Sequence, residues 1–563
     1  MVYIFQIFFS NENNKFQSFY VSIVLFYSFL VLPYIFCREM IKTLNSKYKP
    51  PNRDGLTNHL IPAWYGVEKS NLITDLKHVT NAAITADGWT SFSQDHYLTV
   101  TLHYVREGQS QEKVLRTKAV YQAQTGIAVA EEIEGILEEF GVKEKVVAAT
   151  VDNAANMDVA VKKLNIIKFP CFAHTLNLGA QKLYNCNTVS NWAARIRSVI
   201  VWMRRSHMAK VVLKEKQQLL KLPQHMLLLD VRTRWNSLYL MMERFCEQFP
   251  AIQAAAIDQR LRKPMEKEKL ARMGNEDLRK AEEFVKLMRM PYTSTLADTS
   301  EKVPTCGQIL PILQKLREHY TVQTDDSAFV RSVKENIWND LSKRYQDGDI
   351  QAFLEEATVL DPRFKSKMDM DDIWDRVRAS AVEKVLYLNL TMLLAHFCCE
   401  TFSSCSVVLT VHFFLKLSEP RETQGQAEEE DEGEEEEEEE DYTPPVKQKK
   451  MTALEELFEE EDGKLLSTQQ LPPVSTAQRV DQEIQLYRSL PPILTKDSAS
   501  LWWWKKSDTL PVLSALAEKY LCVQASSTPS ERVFSTAGDT LSPERSRILP
   551  ERANMIIFLH KNC

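Results

Sequence analysis

A cysteine framework is the first thing this chain does without. Its ten cysteines are scattered over 563 residues, no Cys-x-x-Cys pair occurs, and no cysteine pair is followed by histidines at zinc-finger spacing. A disulfide-built scaffold and a zinc finger are thereby excluded, and a reducing compartment is expected. An internal repeat is also missing. Net charge is −7, but the run EEEDEGEEEEEEED (428–441) holds 13 acids, so the rest of the chain carries +6. A mildly basic body with one acidic tract fits a protein that binds nucleic acid and carries an acidic tail. A solvated loop on an unrelated protein would explain the tract alone equally well. Apolar and charged fractions of 44% and 26% are ordinary for a globular chain, and the length allows two to four domains.

Charge is absent altogether from residues 16–37, FQSFYVSIVLFYSFLVLPYIFC. That stretch is long enough to span a bilayer. Lys15 before it and Arg38, Lys42 and Lys47 after it would leave the body in the cytosol. Residues 386–415 are nearly as apolar but contain His396 and Glu400, which fits core better than a span.

From residue 82 the pattern becomes legible. "AAITADGW" (82–89), "HYLTVTLHYV" (96–105) and "KVLRTKAVYQ" (113–122) read as strands, and "IAVAEEIEGILEEFG" (127–141) reads as a helix closed by glycine. "KVVAATVDN" (145–153) reads as a buried strand and "AANMDVAVKKL" (154–164) as a second helix. The first three strands predict an antiparallel meander. The fourth follows a helical crossover and should lie parallel to a neighbour. This order is the start of an RNase H-like fold, in which Asp87 and Asp152 end the two adjacent parallel strands. After about 186 the pattern is helical, notably over 194–220, 276–290 and 329–345. The acidic segment and its flanks (419–450) cannot bury enough apolar surface to fold alone.

Two carboxylates at adjacent strand ends repel unless a cation neutralises them. A pair of Mg²⁺ ions would do so and would suit the chemistry of a phosphodiester, with a third carboxylate completing the site. Read in isolation, Asp87 is a turn residue before Gly88 and Asp152 a helix N-cap. Glu531, in "ASSTPSERVFSTAG" (525–538), sits three residues after Thr528 and fits a capping box with Pro529 at the first helical position. In "FPCFAHTLNL" (169–178), Cys171 and His174 lie one helical turn apart, which is either half a metal site or a buried thiol beside a core histidine. In "DVRTRWNSLYLMMERF" (230–245), Arg234 and Trp235 can contact phosphate and stack on an unpaired base, or be a surface Arg beside a core Trp.

Taken in order, "ITADGWTS", "VDNAANM", "FPCFAHTLNLGAQ", "DVRTRWNSLYLMMERF", "ATVLDPRFK" and "SSTPSERVFSTAG" resemble the hAT superfamily of transposases. Residues 38–385 and 475 to the end resemble the BED zinc-finger proteins domesticated from them, without the BED finger itself. The resemblance implies an α/β plus α architecture: an RNase H-like domain split by a large all-helical insertion, with a helical C-terminal hAT dimerisation region. It divides the chain into an apolar segment (1–37), a helical lead-in (38–80), a first RNase H-like part (79–185) and an insertion (186–418). The acidic linker (419–450) and a C-terminal region (475–563) that completes the core then follow. Residues 1–37 and 386–417 look foreign to the family. The resemblance implies that Asp87, Asp152 and Glu531 are catalytic acids holding Mg²⁺ or Mn²⁺ if the chain is active, as a DDE-type DNA strand-transferase. It implies that Cys171 and His174 form a motif beside that site. DNA contact is implied for His174, Arg234 and Trp235, with Trp235 stacking on a flipped base. A nuclear homodimer with DNA, chromatin or transcription partners is the expectation, and a membrane-anchored interaction protein the alternative if 16–37 is a span.

Overall fold

The computed structural model describes residues 43, 51–91, 94–121, 125–231, 236–268, 270, 273–299, 306–368, 370–401, 475–541 and 548–563. Residues 16–37 and the acidic tract lie outside these. Among the described residues no helix is long and apolar enough to cross a membrane.

Helix α1 (Ile61–Leu76) leads into β1 (Ala82–Thr90), β2 (His96–Arg106) and β3 (Gln109–Ala119). The antiparallel meander forms as the alternation predicts, with Asp87 opposite Thr99 and Val100 opposite Arg116. The β2–β3 connection is a two-residue turn in which Glu107 (φ 52°) and Gly108 (φ 71°) are both left-handed, as a type I′ hairpin requires. Helix α2 (Gly126–Glu139) starts where the Thr125 hydroxyl accepts the Ala128 N–H. It buries Val129, Ala130, Ile133, Ile136 and Leu137 at helical spacing and is followed by Gly141 at φ 65°.

Strand β4 (Val146–Val151) lies parallel to β1, pairing Thr85 with Thr150, as the crossover demands. Helix α3 (Ala155–Leu164) and β5 (Ile167–Pro170) complete a five-stranded sheet of order β3-β2-β1-β4-β5. Strand β5 has no counterpart in the sequence reading. It has four residues and ends in proline, too short a run for alternation to register.

Then come α4 (Phe172–Gln181), α5 (Asn187–Arg205), α6 (His207–Leu219), α7 (Ser237–Ala256), α8 (Gln259–Lys267), α9 (Asn275–Asp298), α10 (Ile309–Tyr320), α11 (Ala328–Leu341) and α12 (Gly348–Val359). Helix α13 (Asp371–Thr401) takes in the first half of the second apolar stretch, 386–415, whose remainder lies outside the described residues. The C-terminal part is α14 (Thr476–Ser489), α15 (Ala499–Lys506), α16 (Pro511–Leu521), α17 (Thr528–Thr540) and α18 (Pro550–Asn562).

The chain end is woven into the sheet. One core joins Leu72 and Leu76 of α1, Ile84, Ile133 and Leu137 to Phe558 and Leu559 of α18. Burying a side chain such as Phe558 contributes roughly 2–3 kcal/mol. The backbone of β3 is served by α18: Val114 N–H donates to Asn562 Oδ1 (2.9 Å) and Thr117 N–H to Asn554 Oδ1 (2.9 Å). A larger core runs from Ala83, Ala148 and Phe169 through the helical body to α14–α16. The fold is thus an RNase H-like sheet split by a helical insertion and closed by a helical C-terminus.

The "LDPRFK" block joins insertion to C-terminus. The buried Asp361 carboxylate accepts from Arg363 Nε (2.8 Å) and from the Arg363 backbone N–H (3.0 Å). Lys365 Nζ donates to the Tyr487 and Leu490 carbonyls at the end of α14, where a cation is favoured. Trp503 Nε1 donates to Leu360 O (2.7 Å) and Tyr487 Oη to Val359 O (3.0 Å).

Candidate functional site

Alternation along β1 puts Ala83, Thr85 and Asp87 on one face. That face meets α17. Thr85 Oγ1 lies 2.7 Å from Ser530 Oγ and also bonds Thr101 Oγ1, while His103 Nε2 reaches Thr101 Oγ1 at 3.0 Å. All four residues are buried. Trp89 stacks on Tyr97 (4.9 Å between centroids) and leans on Phe534 (5.7 Å). This buried hydroxyl network and aromatic contact seat α17 on the sheet, and so place Glu531 beside Asp87.

Asp87 lies within β1, three residues before its end, and Asp152 follows the last residue of the parallel strand β4. Their local partners are backbone amides: Gly88 N–H donates to Asp87 Oδ1 (2.7 Å) and Ala154 N–H to Asp152 Oδ1 (3.0 Å). Asp152 does not cap α3, whose N-cap is Ala154. The capping box at α17 does not form either. Its N-cap is Ser527, one residue earlier than the sequence reading places it, so Glu531 is not at the third helical position and does not reach back to the cap's N–H. Instead, Ser527 Oγ donates to Glu531 Oε1 at 3.5 Å.

The acids feel one another. Burial pushes the Asp87 carboxyl up to about 8, with the charges of Glu531 and then Asp152 adding to it. Glu531 is likewise raised, first by burial, with Asp152 adding. His174 Nδ1 lies 3.8 Å from Glu531 Oε1, and burial lowers its pKa against the opposing pull of Asp152. Asp87, Asp152, Glu531 and His174, far apart in sequence, therefore share one place. Among the described residues no group of three or more His, Cys, Asp and Glu side chains is arranged to hold a metal ion. As they stand, the three acids form an electrostatic cluster and not a finished cage.

Cys171 belongs to the framework. It is fully buried and its thiol is pushed up to about 12, chiefly by burial. Its Sγ accepts the Ser527 N–H at 3.3 Å, fastening the segment before α17 to the start of α4. Cys171 and His174 thus do different things: one clamps backbone, the other faces Glu531. Arg234 and Trp235 lie outside the described residues. The stretch leading to them is anchored by Asp230, which accepts from Arg197 Nε (2.7 Å) and Tyr184 Oη (2.9 Å). Nothing in the sequence pointed to the Thr85–Thr101–Ser530 network, because threonines on strands read simply as strand formers.

Comparison with known proteins follows the same division. Residues 85–169 match the ZBED1 RNase-like domain, 169–285 the ZBED1 RNase-like helical domain, and 483–563 the hAT family C-terminal dimerisation region. The chain is 22% identical over 541 residues to human zinc finger BED domain-containing protein 4, covering 93% of this chain and 41% of that protein. It is 22% identical over 523 residues to zinc finger BED domain-containing protein RICESLEEPER 2 of Oryza sativa subsp. japonica, 88% of this chain and 67% of that protein. A maize (Zea mays) protein named as an AC transposase is 24% identical over 250 residues, 40% of this chain and 30% of that protein. The chain therefore spans about two-fifths of the first of these relatives. It carries regions that match the ZBED1 RNase-like and RNase-like helical domains and the hAT family C-terminal dimerisation region, and is similar to BED zinc-finger proteins and hAT transposases.

Proposed function

We propose that this chain is a domesticated, transposase-derived nuclear protein that homodimerises, binds DNA and serves in transcriptional regulation. The observation that carries DNA binding is a basic face on the insertion. Arg204, Arg205, Lys210 and Lys214 are exposed on consecutive helices α5 and α6, and Glu215 is the one acid between residues 187 and 221. Such a face neutralises phosphates and releases counterions. Replacing those four residues with alanine is expected to lower the slope of log affinity against log salt by about 0.9 for each phosphate no longer neutralised. An unchanged slope, measured by fluorescence anisotropy on a short duplex, would contradict the assignment. The dimer is supported by the match to the dimerisation region and the nuclear site by the kind of relatives found.

A second reading, metal-dependent DNA strand transfer, is favoured by the meeting of Asp87, Asp152 and Glu531. Their chemistry fits a divalent cation: burial and the charge of Asp152 raise both Asp87 and Glu531, and among the described residues neither Asp87 nor Asp152 forms an ion pair with Lys or Arg. These three residues would hold Mg²⁺ or Mn²⁺, which would supply activation of a water or hydroxyl and stabilisation of a leaving oxygen. The chain's own part is to hold the carboxylates together and to place His174 against Glu531. Under this reading Asp152→Asn abolishes Mg²⁺-dependent nicking of a supercoiled plasmid, and residual nicking in that variant would count against it.

A further inference from the structure

Three tryptophans in a row, Trp502, Trp503 and Trp504, lie on the eight-residue helix α15. Successive residues on a helix point about 100° apart, so the three cannot share one face. Trp503 is buried, and Trp502 meets it edge-on (5.0 Å between centroids) while also reaching Tyr487 (5.6 Å). Those two belong to the core. Trp504 stands out of it at 52% exposure, and Leu501, one turn earlier on the same face, is 37% exposed. The tip of the β2–β3 hairpin closes against this face, where a methyl group on Gly108 would stand 2.8 Å from Trp504 Cβ and 2.9 Å from Leu501 Cα. Glu107 at the tip is exposed, with Arg106 Nε standing off at 3.9 Å, and Lys505 beside Trp504 is exposed too. Hairpin and helix thus make one surface, with an apolar centre and a charge of each sign at its edge.

Residues 483–563 match a dimerisation region, yet most of its apolar side chains are already used inside the protomer: Tyr487, Leu513 and Tyr520 in the helical body, Val533, Ile557 and Phe558 against the sheet. A surface for a second copy has to come from what stays exposed. Among the described residues of that region the large exposed apolar side chains are Leu486, Leu494, Leu501, Trp504 and Leu549, and of these Leu501 and Trp504 share one helix face. Tryptophan is enriched at the centres of interfaces, where truncation costs most. Most soluble homo-oligomers close on a two-fold axis, on which a surface must complement itself. Opposite charges on either side of an apolar centre meet that demand, because each finds its opposite on the other copy. We propose that this α15–hairpin surface is the homodimer interface, with Leu501 and Trp504 packed on the same residues of a second copy and Glu107 facing Lys505 across the axis. The proposal rests on the reading of the chain as a homodimer and adds where the two copies meet.

The test is sedimentation velocity of the full chain over a concentration series, beside Trp504→Asp, Glu107→Lys, Lys505→Glu, the double charge reversal and Leu549→Asp. Leu549 is the control. Asn562 bonds Val114 and Asn554 bonds Thr117, so the start of α18, with exposed Leu549 before it, lies toward the end of β3 away from the hairpin. The wild type should dimerise, and Trp504→Asp should raise the dissociation constant at least about thirtyfold. Each charge reversal alone should raise it about tenfold by setting like charges together in both halves of the interface, and the double reversal should return it to within about threefold of the wild type. Leu549→Asp should leave it unchanged. If Trp504→Asp does not fold, the charge reversals carry the same comparison. A folded Trp504→Asp chain that dimerises as the wild type does, an equal loss in Leu549→Asp, or charge reversals that do not behave as a pair overturns the inference and leaves the dimer standing. A wild type that stays monomeric throughout removes the dimer reading itself, and the interface with it.

Discussion

His103 shows what single residues contribute beneath the acids. It sits fully enclosed between sheet and α17, and burial, helped by the charge of Arg532, pushes its pKa down to about 3. An unfolded imidazole titrates near 6.5. Between those values the unfolded chain binds the extra proton and the folded chain does not. This stability is fully present above the unfolded value and is lost as pH falls toward the folded one. Urea midpoints should therefore drop on acidification from neutrality, with a limiting slope of about 1.4 kcal/mol per pH unit for the one proton. His103→Asn should flatten that limb, and an equal slope in the variant would show that another group sets it. At this scale the acids are visible in the sequence one by one, since Asp87 lies near the end of one legible strand and Asp152 directly follows another. The hydroxyls that seat Glu531 stay invisible there, because Thr85, Thr101 and Ser530 gain meaning only when elements 429 or more residues apart touch.

Among elements, the decisive ones are joints. The "LDPRFK" block holds α14 and α15 through Lys365 and Leu360. Lys365→Met would take the lysine from the buried Tyr487 carbonyl and the part-buried Leu490 carbonyl, so a loss of about 1–3 kcal/mol in urea unfolding is expected. A change under about 0.5 kcal/mol would show the joint to be incidental. The β2–β3 hairpin supplies a second joint. A methyl group added at Gly108 would stand 2.8 Å from Trp504 Cβ and 2.9 Å from Leu501 Cα, at φ 71°. Gly108→Ala is expected to destabilise by about 1–3 kcal/mol, read from thermal unfolding. Full wild-type stability would mean that α15 does not lean on the hairpin. Elements with strong alternation or helical period are legible in the sequence to within a few residues, the meander and α2 among them. Strand β5 and the N-cap of α17 are not: so short a strand carries too little pattern, and Ser526, Ser527 and Thr528 are equivalent cap candidates until tertiary bonds choose among them.

For the whole molecule, the consequence is that the C-terminal region is no detachable tail. Val533, Ile557, Phe558 and Leu559 are buried against the sheet, and Tyr487, Trp503 and Tyr520 in the helical body. Deleting 511–563 should give aggregated chain in light scattering, not a soluble monomer. A folded, monodisperse truncation would show that the RNase H-like core closes without it. The order of six motifs foretells this architecture, but only the assembled fold shows the last acid held by the same contacts that complete the core. On the second reading proposed above, this core gathers Asp87, Asp152 and Glu531 into one divalent-cation site. Titration of the full chain with Mn²⁺, followed by electron paramagnetic resonance with Glu531→Gln alongside, tests it most directly. Uptake by the wild type is expected, with binding at least about tenfold weaker in the variant. Indistinguishable titrations of the two proteins would contradict the claim.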